Sequence, residues 1–136
     1  MKEGTYRPDQ MFVIPSSLKG SFFTFLLSFL SPYHHLSAKE LQLTAAFIKK
    51  RYELGLVISD AAVRDKVLFS NETKKEIRKE CGITIQHFQV MMSNLRKKGI
   101  FKDNNLNPKF IPEVCHNDYY DLLIRFKFED EQEDNK

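Results

Sequence analysis

The sequence has no tryptophan, only two cysteines among 136 residues, and no apolar run long enough to cross a membrane. Its most apolar segment, residues 22–30, is about half of the roughly 20 residues that a membrane helix needs. No secretory signal opens the chain, so we expect a cytoplasmic protein in a reducing compartment, without a disulfide between Cys81 and Cys115. We therefore expect neither a membrane-spanning protein nor a disulfide-stabilised secreted scaffold.

Little in the sequence indicates an enzyme. The five glycines are scattered and form no phosphate-binding loop, and no nucleophile elbow is present. His34 and His35 have no acidic or cysteine companion at ligand spacing, and Cys115 and His116 lack the second pair that would complete a four-ligand zinc site. We therefore expect no catalysis, no metal, no cofactor and no small-molecule ligand.

Length and composition predict one domain with a phenylalanine-rich core. Chains of this length bury roughly two-thirds of their unfolded surface, and the sequence is 42% apolar with 12 phenylalanines. The last eight residues hold five acidic residues and one lysine, so the residues before them hold 20 basic and 13 acidic side chains. A basic body with an acidic tail is typical of a polyanion-binding domain, but a solvated surface with a disordered end has the same composition.

Two short helices joined by a tight corner are predicted between Ser70 and Lys98. Ser70 can cap the first helix, Gly82 can adopt the left-handed conformation that ends it, and Thr84 can cap the second. Residues at helical spacing and at the corner predict the buried side of this pair. These residues are Ile77, Cys81, Ile83, Phe88, Met92 and Leu95.

A short hairpin is expected to follow, because Gly99 ends the second helix and residues 103–105, Asp-Asn-Asn, supply turn chemistry. Residues 100–102 and 106–111 would form its two strands. Helix, corner, helix and hairpin make a winged helix, with a helix-turn-helix core over residues 70–99 and a wing over residues 100–111.

Three elements are predicted towards the start of the chain. Residues 1–10 are polar and would form a flexible arm, and residues 11–14 would form a short strand. Residues 21–30 are apolar nearly all round, which predicts a helix buried on most faces. The body of the domain or another subunit can cover that helix, and a homodimer through the Phe22–Leu30 helix is one expectation.

Two further helices are predicted before the central motif. Ser37 and Glu40 have capping-box spacing, so we place a helix over about residues 38–54. Ser59 can cap a shorter helix over residues 60–69.

A strand and an acidic tail are predicted to end the chain. Apolar and polar residues alternate over residues 122–128, which is the pattern of a half-buried strand. This strand would join the wing or the strand at residues 11–14, or would cross to a second subunit. The expected fold is mainly α with a small β part: one winged-helix domain over residues 11–128, with an extra apolar N-terminal helix, a C-terminal strand and a disordered tail over residues 129–136.

The central residues resemble the recognition half of winged helix-turn-helix DNA-binding domains. The resemblance covers residues 70–111 and is carried by Gly82-Ile83-Thr84, then Phe88, Met92, Leu95 and Arg96-Lys97-Lys98-Gly99-Ile100. More loosely, Val13-Ile14-Pro15 and Ser37-Ala38-Lys39-Glu40 are similar to the winged-helix domain that opens many phage and plasmid replication initiators. The looser resemblance extends over about 100 residues.

This resemblance implies binding to double-stranded DNA, with the second helix of the motif in the major groove. It implies that the base-facing residues are Gln86, His87, Gln89, Val90 and Asn94. It implies phosphate contacts by Lys74, Lys75, Arg78, Lys97, Lys98, Lys102 and Lys109. Residues 70–111 hold nine basic and four acidic residues, and none of the acidic ones lies in the second helix.

Two alternatives to DNA contact stay open at this point. Lysines and glutamates are interleaved over residues 72–80 at spacings of ordinary intrahelical pairs, as on any solvated helix. Ile85 and Val90 are apolar where many DNA-reading relatives have polar residues, so they can meet thymine methyls or a protein partner.

We therefore expect a phage-type transcription regulator or replication-initiation accessory protein in the host cytoplasm. The alternative is a virion or assembly and packaging adaptor that uses the same fold to contact other phage proteins.

Overall fold

The computed structural model describes residues 8–114 and 118–130, which form six α-helices and a two-stranded antiparallel hairpin. This agrees with the mainly α, small β class predicted from the sequence. The helices are α1 (Phe22–Phe29), α2 (Ser31–His34), α3 (Ala38–Gly55), α4 (Ala61–Leu68), α5 (Asn71–Glu80) and α6 (Ile85–Lys97). The hairpin consists of β1 (Phe101–Lys102) and β2 (Asn105–Leu106), and a 3-10 helix, Pro108–Phe110, follows it.

Several predictions fall on residues outside the described ranges. These are most of the expected arm (residues 1–7), the pair Cys115 and His116, and most of the expected acidic tail (residues 131–136). Within the described ranges, no helix has both the length and the apolar character needed to cross a bilayer.

Side-chain caps fix where the longer helices begin. In the capping box of α3, Glu40 N donates to Ser37 Oγ at 3.2 Å and Ser37 N donates to Glu40 Oε1 at 2.9 Å, as predicted. Ser70 and Thr84 cap α5 and α6 by accepting from the amide three residues further on, also as predicted.

The cap of α4 is Asp60 and not Ser59, so that prediction is wrong by one residue. The Asp60 carboxylate accepts hydrogen bonds from the amides of Ala62 and Val63. A carboxylate also interacts with the positive end of the helix dipole, which a neutral hydroxyl does more weakly. The charged residue therefore takes the capping position.

Left-handed glycines bound α6 on both sides. Gly82 has a φ of 66° and forms the corner between α5 and α6. Arg78 Nη1 donates to Ile83 O at 3.0 Å across this corner, and the Ile83 side chain is buried. Gly99, with a φ of 81°, ends α6 and directs the chain into β1.

Three phenylalanine rings pack the hairpin against the helices. The Phe101 ring of β1 lies edge-on to Phe47 of α3, with 5.0 Å between ring centroids, and edge-on to Phe69 at 5.6 Å. Phe47 and Phe69 stack on each other at 5.6 Å. Such ring pairs contribute about 0.5–1.5 kcal/mol beyond the burial of their area. The aromatic core therefore sets the position of the hairpin.

The residues predicted for the core differ in burial. Ile77, Ile83, Phe88, Met92 and Leu95 are buried in a single apolar cluster that includes residues of α1, α3, α4, α5, α6 and the hairpin. Cys81 is only half-buried against this cluster, because it lies one residue beyond the end of α5. Burial and the neighbouring Glu80 charge raise the pKa of its thiol.

The hairpin is shorter than predicted. Its return strand is Asn105–Leu106 rather than residues 106–111. Pro108 has no amide to continue a strand ladder, and the Asn107 side chain accepts from Lys109 N to start the 3-10 helix instead.

The strand predicted over residues 122–128 is not formed, nor is the one over residues 11–14. Every residue from 118 to 130 is exposed. Tyr120 still contacts α1, where its ring lies 5.5 Å from the ring of Phe22. A strand needs hydrogen bonds from a neighbouring strand, and the sheet of the described residues contains only β1 and β2.

The body of the domain covers one face of α1 and leaves another open, so the domain by itself does not bury this helix on most faces. Phe23 and Leu27 are buried, whereas Phe25 and Phe29 are exposed. Phe22, Phe25 and Phe29 follow the i, i+3, i+7 spacing and form one stripe along the helix. Only the first ring of this stripe meets Tyr120.

The two adjacent histidines have opposite environments. His34 is buried, with Nε2 2.6 Å from Leu27 O, and its Nδ1 accepts from Leu36 N at 3.0 Å. Since Nδ1 is an acceptor, Nε2 carries the proton that is donated to Leu27 O. His35 is exposed and left-handed, with a φ of 53°. The pair therefore serves the fold around α2.

Candidate nucleic-acid interface

Helix α6 divides its side chains between the core and the solvent. Its buried face consists of Phe88, Met91, Met92 and Leu95. Its outward face consists of Gln86, Gln89, Val90, Ser93, Asn94 and Lys97, which helical spacing puts on the other side. The outward face contains no acidic residue and one lysine.

The side chains of this outward face line one shallow, open depression of about 450 Å³. Four of the predicted base-facing residues therefore lie together, and Lys97 of the predicted phosphate-contacting set lies at one end. His87 is exposed but is not part of the depression. Ser93 adds to the predicted set, and its spacing of four residues from Gln89 and seven from Gln86 is the sequence signal for it.

The chemistry of this depression is that of paired donors and acceptors. Each Gln or Asn amide both donates and accepts, and Ser93 does so through its hydroxyl. Val90 adds one apolar group, and Lys97 adds one positive charge. Such a surface can hydrogen-bond a flat polar edge, but no group on it is arranged to activate a nucleophile.

Lys98, predicted to contact phosphate, forms an internal ion pair. Its Nζ lies 2.6 Å from Glu40 Oε1, on a carboxylate that is 8% exposed, and it donates to His35 O at 3.2 Å. Burial of the Glu40 carboxyl raises its pKa, but the hydrogen bonds from Lys98 and Ser37 and the Lys98 charge hold that pKa below its usual range. Lys98 thus ties the end of α6 to the start of α3, because the buried Glu40 needs a cation.

Two other cations of the predicted phosphate-contacting set also have internal partners. Arg78 donates to Ile83 O at the corner, and Lys74 Nζ lies 6.0 Å from the ring centroid of Phe69. Both side chains are half-buried. Apart from the ion-paired Lys98, the exposed members of the set are Lys75, Lys97, Lys102 and Lys109.

The tip of the hairpin is acidic. Asp103 lies there in a left-handed conformation with a φ of 59°. Its exposed carboxylate would repel a phosphate group. The cation that the hairpin offers to a phosphate group is therefore Lys102 on β1, and the tip of the hairpin offers none.

Ile85 and Val90 are 55% and 57% exposed, so both are available to a ligand. Residues five apart on a helix lie about 140° apart around its axis. Gln86 and Gln89 lie between them on that arc. The two apolar residues therefore do not form a continuous patch along α6.

Comparison of the chain with protein-family models, with curated proteins and with solved structures finds no match. Among the residues that the structure describes, no group of three or more His, Cys, Asp or Glu side chains could hold a metal ion.

Proposed function

We propose that this chain is a winged-helix protein that binds double-stranded DNA, with α6 as the helix that enters the major groove. The order α5, glycine corner, α6 and hairpin supports the proposal, because it is the order of elements in that class of domain. The observation that carries it is that Gln86, Gln89, Asn94 and Lys97 line the same open depression.

Base recognition is assigned to the polar residues of the depression. The major groove is about 12 Å wide and admits a helix. The side-chain amides of Gln86, Gln89 and Asn94 can each donate to N7 of adenine and accept from its N6 amino group. Each such bidentate pair is worth about 1–3 kcal/mol of discrimination against another base. Val90 can meet a thymine methyl group. His87 does not line the depression, so we assign it a contact at the edge of the site.

Phosphate contacts are assigned to the exposed lysines. Lys97 ends the recognition helix, Lys75 lies on α5, and Lys102 and Lys109 lie on and after the hairpin. These contacts provide affinity without sequence preference. Lys98, Lys74 and Arg78 are removed from this role because their partners lie within the fold.

The test is binding to duplex DNA of random sequence at several salt concentrations, followed by selection of preferred sites. Lys97→Ala is expected to reduce the slope of log affinity against log salt by about 0.9, because one fewer counterion is released. Lys19→Ala, at an exposed lysine before α1, is the matched control and should leave the slope unchanged. Gln86→Ala should alter the selected sequence and leave the slope as it is. No binding by the wild-type chain at low salt would refute the proposal.

A role in transcription regulation or in the initiation of replication follows from the same contact, and the selected sites would distinguish them. Two-fold repeated sites would favour a regulator that binds as a dimer. Arrays of directly repeated sites would favour a replication accessory.

The second candidate is an assembly or packaging adaptor of a virion. The exposure of Ile85 and Val90 favours it, because apolar side chains on a recognition helix can rest on a protein partner. Their separation around the helix argues against a single apolar contact. Failure of the wild-type chain to bind DNA at low salt, with loss of a captured partner in the variant Ile85→Ser, would establish this function instead.

A further inference from the structure

The first three turns of α6 present an uncharged surface to the solvent. Residues 85–94 contain no lysine, arginine, aspartate or glutamate. The part of the depression that they line consists of three carboxamides, one hydroxyl and one apolar side chain: Gln86, Gln89, Asn94, Ser93 and Val90. Within the described part of the chain the three carboxamides have no hydrogen-bond partner, so their donors and acceptors are available to a ligand.

We infer that α6 binds A·T base pairs in preference to G·C pairs. This inference rests on the proposed function and adds the class of duplex sequence that the helix binds. In the major groove, adenine offers the N7 acceptor and the N6 donor side by side, and one carboxamide matches both with its own donor and acceptor. The thymine of the same pair offers a methyl group. The depression supplies both kinds of contact, because Val90 lies one helical turn from Gln86.

The side chains that favour guanine and cytosine are missing from these three turns. Guanine offers two acceptors, O6 and N7, which arginine or lysine binds with two donors, and cytosine offers an amino group, which a carboxylate accepts. A carboxamide placed against guanine directs its oxygen towards an acceptor or leaves that oxygen unpaired, and an unpaired buried polar group is costly. The absence of charged residues over 85–94 therefore disfavours G·C pairs.

Three exposed side chains of α6 that could bind guanine lie at the edges of this surface. His87 and Arg96 do not line the depression, and helical geometry places them about 100° and about 80° around the axis from Gln86. Lys97 lines the depression, but it belongs to the last turn and lies about 16 Å along the axis from Gln86. In helix-turn-helix proteins the N-terminal residues of the recognition helix contact base edges. Arg96 and Lys97 are therefore placed for phosphates at the flank of the site.

The spacing of the carboxamides sets the length of the A·T run. Gln86 and Asn94 lie about 12 Å apart along the helix axis. Base pairs follow one another at about 3.4 Å along the duplex, so the carboxamides extend over about three or four pairs. Each carboxamide that pairs with adenine provides about fivefold to 100-fold discrimination against another base. The expected core of the site is therefore a short run of A·T pairs in either orientation.

Binding of the full chain to alternating duplexes of A·T, G·C or I·C pairs, of equal length and at one low salt concentration, tests the inference. The base of inosine (I) is guanine without its 2-amino group, so an I·C pair has the major-groove pattern of G·C and the minor-groove pattern of A·T. The A·T duplex should bind at least about tenfold more tightly than either of the other two.

Two results with these duplexes would overturn the inference alone. The first is equal affinity for the A·T and G·C duplexes. The second is an I·C duplex that binds as tightly as A·T, because the preference would then come from the minor groove or from duplex shape. Failure of all three duplexes to bind would refute the proposed function, and the inference with it.

Substitutions on α6 test which side chains carry the preference. Gln86→Ala combined with Gln89→Ala should reduce the ratio of A·T to G·C affinity to less than about threefold, because two adenine contacts are lost. Gln10→Ala combined with Gln42→Ala, at two exposed glutamines outside α6, is the matched control and should leave that ratio at the wild-type value. Circular dichroism should show the same helix content in all variants, because the four side chains are exposed.

The thymine contact of Val90 has its own probe, a duplex in which uracil replaces thymine and the methyl group is absent. This replacement should weaken binding of the wild type about three- to fourfold for one methyl contact. It should weaken binding of Val90→Ser by less than about twofold. An A·T preference that survives the loss of both Gln86 and Gln89, or equal effects of uracil on the wild type and Val90→Ser, would overturn the assignment of the preference to α6.

Discussion

Helix α6 and residues 118–130 carry similar numbers of large apolar side chains, yet α6 buries four of its six and residues 118–130 bury none. Phe88 of α6 is 8% exposed, whereas Phe126 is 80% exposed. A helix closes its backbone hydrogen bonds within its own segment, so its apolar face needs only a surface to pack on. An extended segment needs hydrogen bonds from a neighbour before its apolar face can be buried. Residues 118–130 keep their apolar side chains exposed because they pair with no strand among the described residues.

The largest expected effect comes from truncating the same residue type in each region. Phe88→Ala should lower the free energy of unfolding by about 3–5 kcal/mol, because it leaves a cavity beneath α6. Phe126→Ala should change it by less than about 0.5 kcal/mol, because the ring is exposed. Urea unfolding measures both values. Equal effects at the two positions would show that the comparison is wrong.

The next effect comes from adjacent lysines at the end of α6. Lys98→Met should lower the free energy of unfolding by about 1–2 kcal/mol, because it leaves the buried Glu40 carboxylate without its cation; the partial exposure of Lys98 keeps the value below that of a fully buried pair. Lys97→Met, at an exposed lysine, is the control and should change it by less than about 0.5 kcal/mol.

The effect of Lys98→Met should also depend on pH in a definite direction. The folded-state pKa of Glu40 lies below the ordinary value of 4.5, so its contribution is present above pH 4.5 and is lost as the pH falls through the folded pKa. Without Lys98, only the hydrogen bonds with Ser37 oppose the burial that raises the pKa of Glu40. The stability difference between the wild type and Lys98→Met should therefore be largest near neutral pH and should shrink under acid conditions. A difference that grows on acidification would show that Glu40 is not the partner that matters.

Features that depend on residues close together in the chain could be predicted from the sequence, and features that depend on distant residues could not. Caps and corners depend on residues within a few positions of one another, so Ser37, Ser70, Gly82 and Thr84 indicate the helix starts and the corner directly. The pairing of Lys98 with Glu40 joins residues 58 positions apart, and nothing local marks it. Residues 122–128 alternate as a strand does, but the predicted strand is not formed. A period-two pattern shows that a segment can be a strand, and it does not identify the neighbouring strand that its backbone needs.

On the outward face of α6, Gln86, Gln89, Val90 and Asn94, which the resemblance implies to be base-facing, line one depression. Which lysines remain available to a ligand is not predictable in this way. A lysine on a helix end has the same sequence signature whether it meets solvent or a buried carboxylate, as Lys97 and Lys98 show.

The smallest expected effect concerns Gly82, and it distinguishes backbone strain at the corner before α6 from loss of packing there. Gly82→Ala adds a methyl group with no atom within 4 Å, so its cost comes only from holding alanine at a φ of 66°, about 1 kcal/mol. Gly55→Ala, at the last residue of α3, meets only Arg64 Cδ at an ordinary 3.8 Å and has no positive φ, so it should stabilise the chain by up to about 1 kcal/mol. Opposite signs in thermal unfolding would show that the corner before α6 is fixed by local backbone geometry, which no neighbouring segment has to supply. A stabilising Gly82→Ala would mean that the corner adopts another conformation, and the orientation of α6 would have to be redrawn.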